Sequence, residues 1–255
     1  MNNEERKQKA KTERDGLIFT TNFGTKFVVK DYQDYDNVKI EFLDEHHFTK
    51  TVSWGNVIKG GIKNPFDKTC FGVACIGYDG EIKNKDAYKI WHTLLQRTVD
   101  DNYKSKHIAY TDTEICDEWL CYENFENWYN DNYYNIGEQL YLDKDIISKG
   151  NKIYSPQNCV FVPRCINNLF TTRRLNRGKN PIGVNKKESD SKYCAKCNEY
   201  GKSVTLGYFD TVTEAFDVYK IEKERYIKEV ADSYKDKIPL KLYNALYDYK
   251  IEITD

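Results

Sequence analysis

The hydrophobic period changes along this chain, and that change constrains its fold more than any other feature. Val38, Ile40 and Phe42 alternate with Lys39 and Glu41, the two-residue period of a strand with one buried face. A polar turn over residues 44–46 leads into residues 48–52, so this stretch reads as a hairpin. Further on, Tyr88, Trp91, Leu94, Leu95 and Thr98 recur three and four residues apart, and Ala215, Phe216, Tyr219, Tyr226, Ile227, Val230 and Ala231 do the same. A chain with both periods in separate stretches is neither all-helical nor all-β, and the expected class is α+β. At 255 residues it is also long enough for more than one core.

The punctuation divides the chain further. Residues 1–16 are polar, alternate in charge sign and read as a flexible leader, frayed or helical. Residues 17–80 hold short β-prone pieces broken by Gly55, Gly60, Gly61, Pro65 and Gly72, which predicts a small β-barrel domain. Residues 81–172 begin with a helix that Asp86 can cap. They end with two strands joined by a loop and followed by a short helix. Residues 173–180 carry Arg173, Arg174, Arg177 and Lys179 and read as a basic linker. Residues 181–255 hold three short strands, a long amphipathic helix opened by a capping box from Thr211 to Glu214, and a last short helix beginning at Pro239.

No apolar run is long enough to cross a bilayer, and the first residues are charged where a secretory signal is apolar. The expected compartment is therefore the cytoplasm, with the eight cysteines as reduced thiols. The net charge of −1 conceals an asymmetry, because residues 100–145 hold twelve acidic and three basic side chains while residues 164–202 hold ten basic and three acidic. The basic stretch is the one suited to phosphate.

Residues 182–184 (Ile-Gly-Val), 192–195 (Lys-Tyr-Cys-Ala), Gly201, Lys202 and 206–209 (Leu-Gly-Tyr-Phe), followed by Glu214, Phe216 and Tyr219, resemble the APETALA/ethylene-response-factor DNA-binding domain. That resemblance implies a three-stranded antiparallel sheet packed on a helix and laid in the major groove of double-stranded DNA. Matched position by position, the residues facing DNA are Asn185, Lys187, Lys192, Tyr193, Lys196, Asn198 and Thr205, with Lys186 and Lys202 near phosphates and the linker arginines Arg173, Arg174 and Arg177 along the backbone. Lys, Asn and Tyr stand where Arg, Glu and Trp are common in plant members, which implies altered or weak sequence preference. Taken singly, any of these lysines also reads as an ordinary solvated surface residue.

Upstream, Trp91, Leu94, Leu95, Arg97, Cys116, Trp119, Phe125, residues 142–145 (Leu-Asp-Lys-Asp) and residues 154–162 (Tyr-Ser-Pro-Gln-Asn-Cys-Val-Phe-Val) resemble a phage and homing-type family of HNH-related endonucleases. The resemblance implies a central HNH-like domain of ββα type. Residues 59–65 and 72–77 resemble an N-terminal module of phage and prophage endonuclease-like proteins, and the implied setting is a bacterial host cell during phage infection or carrying a prophage.

An HNH nuclease uses a histidine base, an asparagine that orients it and a metal on the leaving oxygen. The four histidines here, His46, His47, His92 and His107, all lie outside the strand, loop and strand region, and Lys144 stands where the base belongs. Two readings follow. In one, Asp143 and Asp145 hold Mg²⁺ or Mn²⁺, Asn158 orients, and Lys144 or a metal-bound water replaces the base, giving a variant endonuclease. In the other the scaffold is catalytically silent, and the chain acts as a DNA-binding regulator or as an inhibitor of a host defence enzyme. In that case a host or phage protein would meet the N-terminal barrel or the acidic central stretch. Asp143 and Asp145 also read as loop caps and Asn158 as a turn residue.

Structural zinc is disfavoured in two places. Cys194 and Cys197 lie an odd number of residues apart on an expected strand, and the set Cys116, Cys121, Cys159 and Cys165 has wider spacings than usual zinc pairs.

Overall fold

The computed structural model describes residues 2–171, 180–186 and 191–255, which fall into two units, Met1–Asp131 and Asn132–Asp255. Both α and β structure are present, with antiparallel sheets of four and three strands.

In the first unit, helix α1 (Asn3–Arg14) begins at Asn2, whose side chain and that of Glu5 form a reciprocal capping box. The expected leader is therefore a regular helix. Lys11 pairs with Asp31, and the Arg14 guanidinium lies 4.4 Å from the ring centres of both Tyr32 and Trp54, which ties the helix down. Strands β1 (Ile18–Thr20), β2 (Lys26–Tyr32), β3 (Val38–Phe42) and β4 (Thr49–Val52) form an antiparallel meander. The alternation in β3 is realised as written: Val38, Ile40 and Phe42 are fully buried and pack with Phe27, Val29 and Val57.

The expected barrel is an open sheet, since β1 and β4 are its two edges and no closed barrel forms among the described residues. One reason lies just after β4. Ser53 caps helix α2 (Trp54–Lys59), and Gly60 ends it in the left-handed conformation with φ 64°, so residues read as β-prone are helical instead.

Helix α3 (Lys85–Val99) buries Ala87, Trp91, Leu94, Leu95 and Thr98 on one stripe. Its cap is Asn84, whose side chain accepts the N–H groups of Asp86 and Ala87, so Asp86 sits in the first turn rather than at the cap. A short helix α4 (Asp101–Lys106), strand β5 (Glu114–Ile115) and helix α5 (Tyr122–Asn132) follow. The Trp91 indole N–H donates to the Trp119 carbonyl at 2.7 Å in the buried interior.

The second unit opens with β6 (Leu140–Asp143), β7 (Ile153–Tyr154) and β8 (Val160–Pro163), and helix α6 (Arg164–Leu169) starts directly after β8. Strands β6 and β8 pair antiparallel, with Asp143 opposite Val160. Strands β9 (Val184–Asn185), β10 (Tyr193–Glu199) and β11 (Lys202–Phe209) form the three-stranded sheet in the order β11-β10-β9. Helix α7 (Val212–Ser233) covers one side of it and α8 (Leu240–Asp248) follows, with Pro239 just ahead of its first residue. The Thr211–Glu214 capping box is present. A single apolar cluster joins Val160, Val162 and Ile166 to Val184, Ala195 and Cys197 of the sheet and to Ala215, Tyr219, Ile227 and Leu242 of the helices.

Between Ala195 and Lys196 the register with β11 shifts, since Ala195 faces Gly207 whereas Lys196 faces Thr205. Leu206 is the additional residue of this bulge, and it lets both Leu206 and Phe209 pack against the core. At the head of the sheet, Gly183 has φ 78°, and a Cβ placed there would lie 2.1 Å from ring atoms of Tyr219. The ring of α7 is seated on this bare backbone.

Gly183→Ala is expected to lower stability by about 2–4 kcal/mol, the sum of a left-handed backbone penalty and an overpacked contact. Gly201→Ala is the control, because Gly201 also has positive φ (76°) but nothing within 4 Å of a Cβ. Urea denaturation of both full-length variants checks this, and equal losses would mean that the Tyr219 contact contributes nothing.

Candidate functional site

The side of the three-stranded sheet turned away from α7 presents Asn185, Lys196, Asn198, Ser203, Thr205 and Tyr208, all exposed. Lys196 stands directly opposite Thr205, and Asn198 opposite Ser203. Each of these side chains donates or accepts hydrogen bonds, and none of the six is acidic. The carboxylates lie elsewhere: Glu199, Glu222 and Glu229 gather around Arg225, which is 2.6 Å from Glu222 and 3.4 Å from Glu199. Burial raises the proton affinity of the Glu199 carboxyl, with the neighbouring Glu222 adding to it, while the Arg225 guanidinium beside Glu222 lowers that of Glu222. Among the described strand positions the outward side is neutral to basic. Three carboxylates are gathered where β10 ends beside α7, and the exposed Asp210 follows β11.

The remaining expected DNA-facing residues are distributed less evenly. Lys202 is exposed at the hairpin end, opposite Glu199. Lys192 is exposed and 3.5 Å from Asp210. Tyr193 is half-buried against the apolar cluster on the helix side, with the Lys186 ammonium 4.2 Å from its ring centre, so its ring carries a cation rather than facing outward. Lys187 and the linker arginines Arg173, Arg174 and Arg177 lie outside the described residues. Ser203 and Tyr208 belong to the outward row and were missed from the sequence. Counting by two from Thr205 reaches Ser203, but Tyr208 lies beyond the bulge, where that count fails.

The second candidate group sits at the end of β6. Asp143 is mostly buried, and its Oδ1 accepts the N–H groups of Asp145 at 2.9 Å and Ile146 at 2.8 Å. Burial, reinforced by the nearby Asp145 carboxylate, pushes the Asp143 carboxyl up to about 6. The Lys144 ammonium lies 2.9 Å from Asp145 Oδ2 and 5.7 Å from the Tyr154 ring centre, with its side chain only 12% exposed. Asn158 donates from Nδ2 to Asn151 Oδ1 at 3.1 Å, and Asn151 donates in turn to the carbonyls of Lys144 at 2.8 Å and Ile153 at 2.7 Å.

Asp143, Lys144, Asp145 and Asn158 are thus brought into one loop-bracing network, with Asn151 as its unforeseen hub. One Asp143 oxygen already holds two N–H groups, the Asp145 carboxylate is paired with an ammonium, and no group of three or more His, Cys, Asp or Glu side chains suited to a metal occurs among the described residues. Of the candidate zinc cysteines, Cys116 and Cys121 belong to the first unit and Cys159 and Cys165 to the second. Cys194 and Cys197 are free and buried. No helix among the described residues is long and apolar enough to cross a membrane.

Because the folded-state affinity of Asp143 for its proton is raised, the native state binds that proton more tightly than the unfolded chain does. Stability contributed by this residue is therefore present at low pH and is lost as pH rises from about 4 to about 6. Asp143→Asn keeps an acceptor for the two N–H groups and removes the titration. Relative to this variant, the parent chain is expected to lose on the order of 3 kcal/mol between pH 4 and pH 7. Urea denaturation at both pH values checks this, and a parent-to-variant difference independent of pH would contradict the burial of a titrating carboxyl. No known protein family, curated protein or solved structure matches the chain.

Proposed function

We propose that this chain is a DNA-binding protein that reads duplex DNA with the outward side of β9, β10 and β11. The observation that carries the reading is the row Asn185, Lys196, Asn198, Ser203, Thr205 and Tyr208, hydrogen-bonding side chains without a carboxylate among them. A three-stranded sheet of this width fits a major groove about 12 Å across, and alternate side chains then reach base edges while flanking lysines reach phosphates. Lys196 supplies positive charge on this side, with Lys192 beside Asp210 at its edge and Lys202 at the hairpin end opposite Glu199, and the carboxylates clustered around Arg225 would face away from the phosphates. The resemblance of residues 182–219 to the APETALA type points the same way, and with it goes a bacterial host carrying a phage or prophage.

A second reading, hydrolysis of the bound DNA with Mg²⁺ or Mn²⁺, has one observation in its favour. The antiparallel pair β6 and β8, followed at Arg164 by α6, repeats the strand, strand, helix order of an HNH-type scaffold. It requires the Lys144–Asp145 pair to open, and the arrangement described above favours a silent scaffold that braces the sheet.

Fluorescence anisotropy of the full chain on one duplex tests the first reading. About six phosphate contacts give a log-log salt slope of roughly −5, and the triple change of Lys192, Lys196 and Lys202 to Ala is expected to weaken binding and flatten that slope by roughly 2–3. Unchanged affinity and slope in the triple variant would remove the sheet from the interface. Incubation with supercoiled plasmid and Mg²⁺ or Mn²⁺ decides the second reading. Nicking that disappears in Asp143→Ala and Asn158→Ala would restore the enzyme, and binding without nicking is the expected outcome.

A further inference from the structure

Two cysteines of the first unit, distant in sequence, meet at the start of α5. Cys75 and Cys121 face each other in an isolated parallel bridge, with the Cys75 N–H donating to the Leu120 carbonyl at 2.9 Å and the Tyr122 N–H donating to the Cys75 carbonyl at 2.9 Å. As directly paired residues they carry their side chains on the same side, and the Cys121 S–H donates to the Ile76 carbonyl at 4.0 Å. Gly77 leaves room for this sulfur, since a Cβ there would lie 3.0 Å from Cys121 Sγ.

Cys121 also occupies the cap of α5. Its carbonyl accepts the Phe125 N–H at 3.4 Å, the first helical bond, while the Glu123 N–H donates to the Ile76 carbonyl at 3.1 Å. A thiolate at the N-terminus of an eleven-residue helix is stabilised by the positive end of the helix dipole. Both thiols are half-buried, within reach of a small oxidant.

We propose that Cys121 and Cys75 are a hydroperoxide-reactive pair, with Cys121 as the attacking thiolate and Cys75 as the thiol that resolves it. The Cys121 sulfur forms a bond to one peroxide oxygen as the O–O bond breaks, which leaves a sulfenic acid and releases hydroxide. Cys75 then attacks that sulfur, the S–S bond forms, and the sulfenic oxygen departs as water with the Cys75 proton, while the proton that Cys121 released on ionising neutralises the hydroxide. One peroxide is reduced to two waters and two thiols are oxidised to one disulfide. The environment supports the division of roles. The neighbouring Cys75 thiol and the backbone at Glu123 and Asn124 lower the Cys121 thiol to about 7 against burial and the Glu123 charge, while Cys75 is held well above the usual thiol range by Cys121, by burial and by the nearby Cys70.

The test is treatment of the reduced full chain with hydrogen peroxide, followed by thiol counting and peptide mapping. Two of the eight thiols are expected to disappear, with a cross-linked peptide containing Cys75 and Cys121. Cys75→Ser is expected to leave a sulfenic acid on Cys121 that dimedone captures. In Cys121→Ser the initial rate of thiol loss at neutral pH should fall about tenfold, the ratio of thiolate fractions between a thiol near 7 and an ordinary one. Circular dichroism confirms that each variant is folded, and the Cys75 variant decides the matter if the Cys121 variant is not. Loss of Cys70 or the exposed Cys165 ahead of Cys121, or a cross-link from Cys75 to Cys70, would overturn the proposal.

Discussion

Three short strands cannot hide one side of a sheet by themselves, and the second unit is organised around how α7 does it for them. The 22-residue helix lays Ala215, Phe216, Tyr219, Tyr226, Ile227, Val230 and Ala231 against β9, β10 and β11. Contact is close because Gly183 has no side chain beneath the Tyr219 ring. The same apolar cluster takes in Val160 and Val162 of β8 and Ile166 of α6. The strand, loop and strand region is therefore fixed to the same core as the outward row of the sheet. Neither can shift without repacking the other, because a close-packed interior transmits displacement.

That shared core gives a physical account of the Asp143 network. A loop between paired strands leaves backbone N–H groups that need acceptors, and here a buried carboxylate supplies one acceptor to two of them. Asn151 and Asn158 satisfy further carbonyls and one another. The residues that a family resemblance singles out for chemistry are those with the strongest structural employment. An acid and an amide at this spacing serve a turn as readily as they serve a reaction.

Much of the framework was legible from pattern. The period-two run at residues 38–42, the α3 stripe, the Thr211 capping box and the helix following Pro239 all rest on local rules that the structure obeys. What escaped depended on neighbours distant in sequence. Gly55, Gly60 and Gly61 read as punctuation between short β-prone pieces, yet Ser53 and Gly60 are the two caps of a helix over residues 54–59. Openness of the first sheet depends on whether its edge strands meet, which no local spacing encodes. Tyr193 was placed facing outward by position in a motif, whereas its parity with Ala195 and Cys197 puts it on the helix side. The Cys75–Cys121 pair joins residues whose proximity only the fold reveals.

The bulge at Ala195 and Lys196 gives β11 one residue more than its partner strand needs. On the two sides of Leu206 the strand runs in opposite phase: Ser203 and Thr205 point outward before it, and Tyr208 points outward after it. Exchanging one outward side chain for another leaves this phase intact. Deleting Leu206 would restore uninterrupted alternation with Tyr208 still outward and Phe209 still inward, whereas closing the bulge with the residue count unchanged would turn Tyr208 into the interior and Phe209 into water. The bulge is thus a one-residue reserve: the hairpin can lose that residue with its outward row still in phase, and what it gives up is one apolar contact with the core.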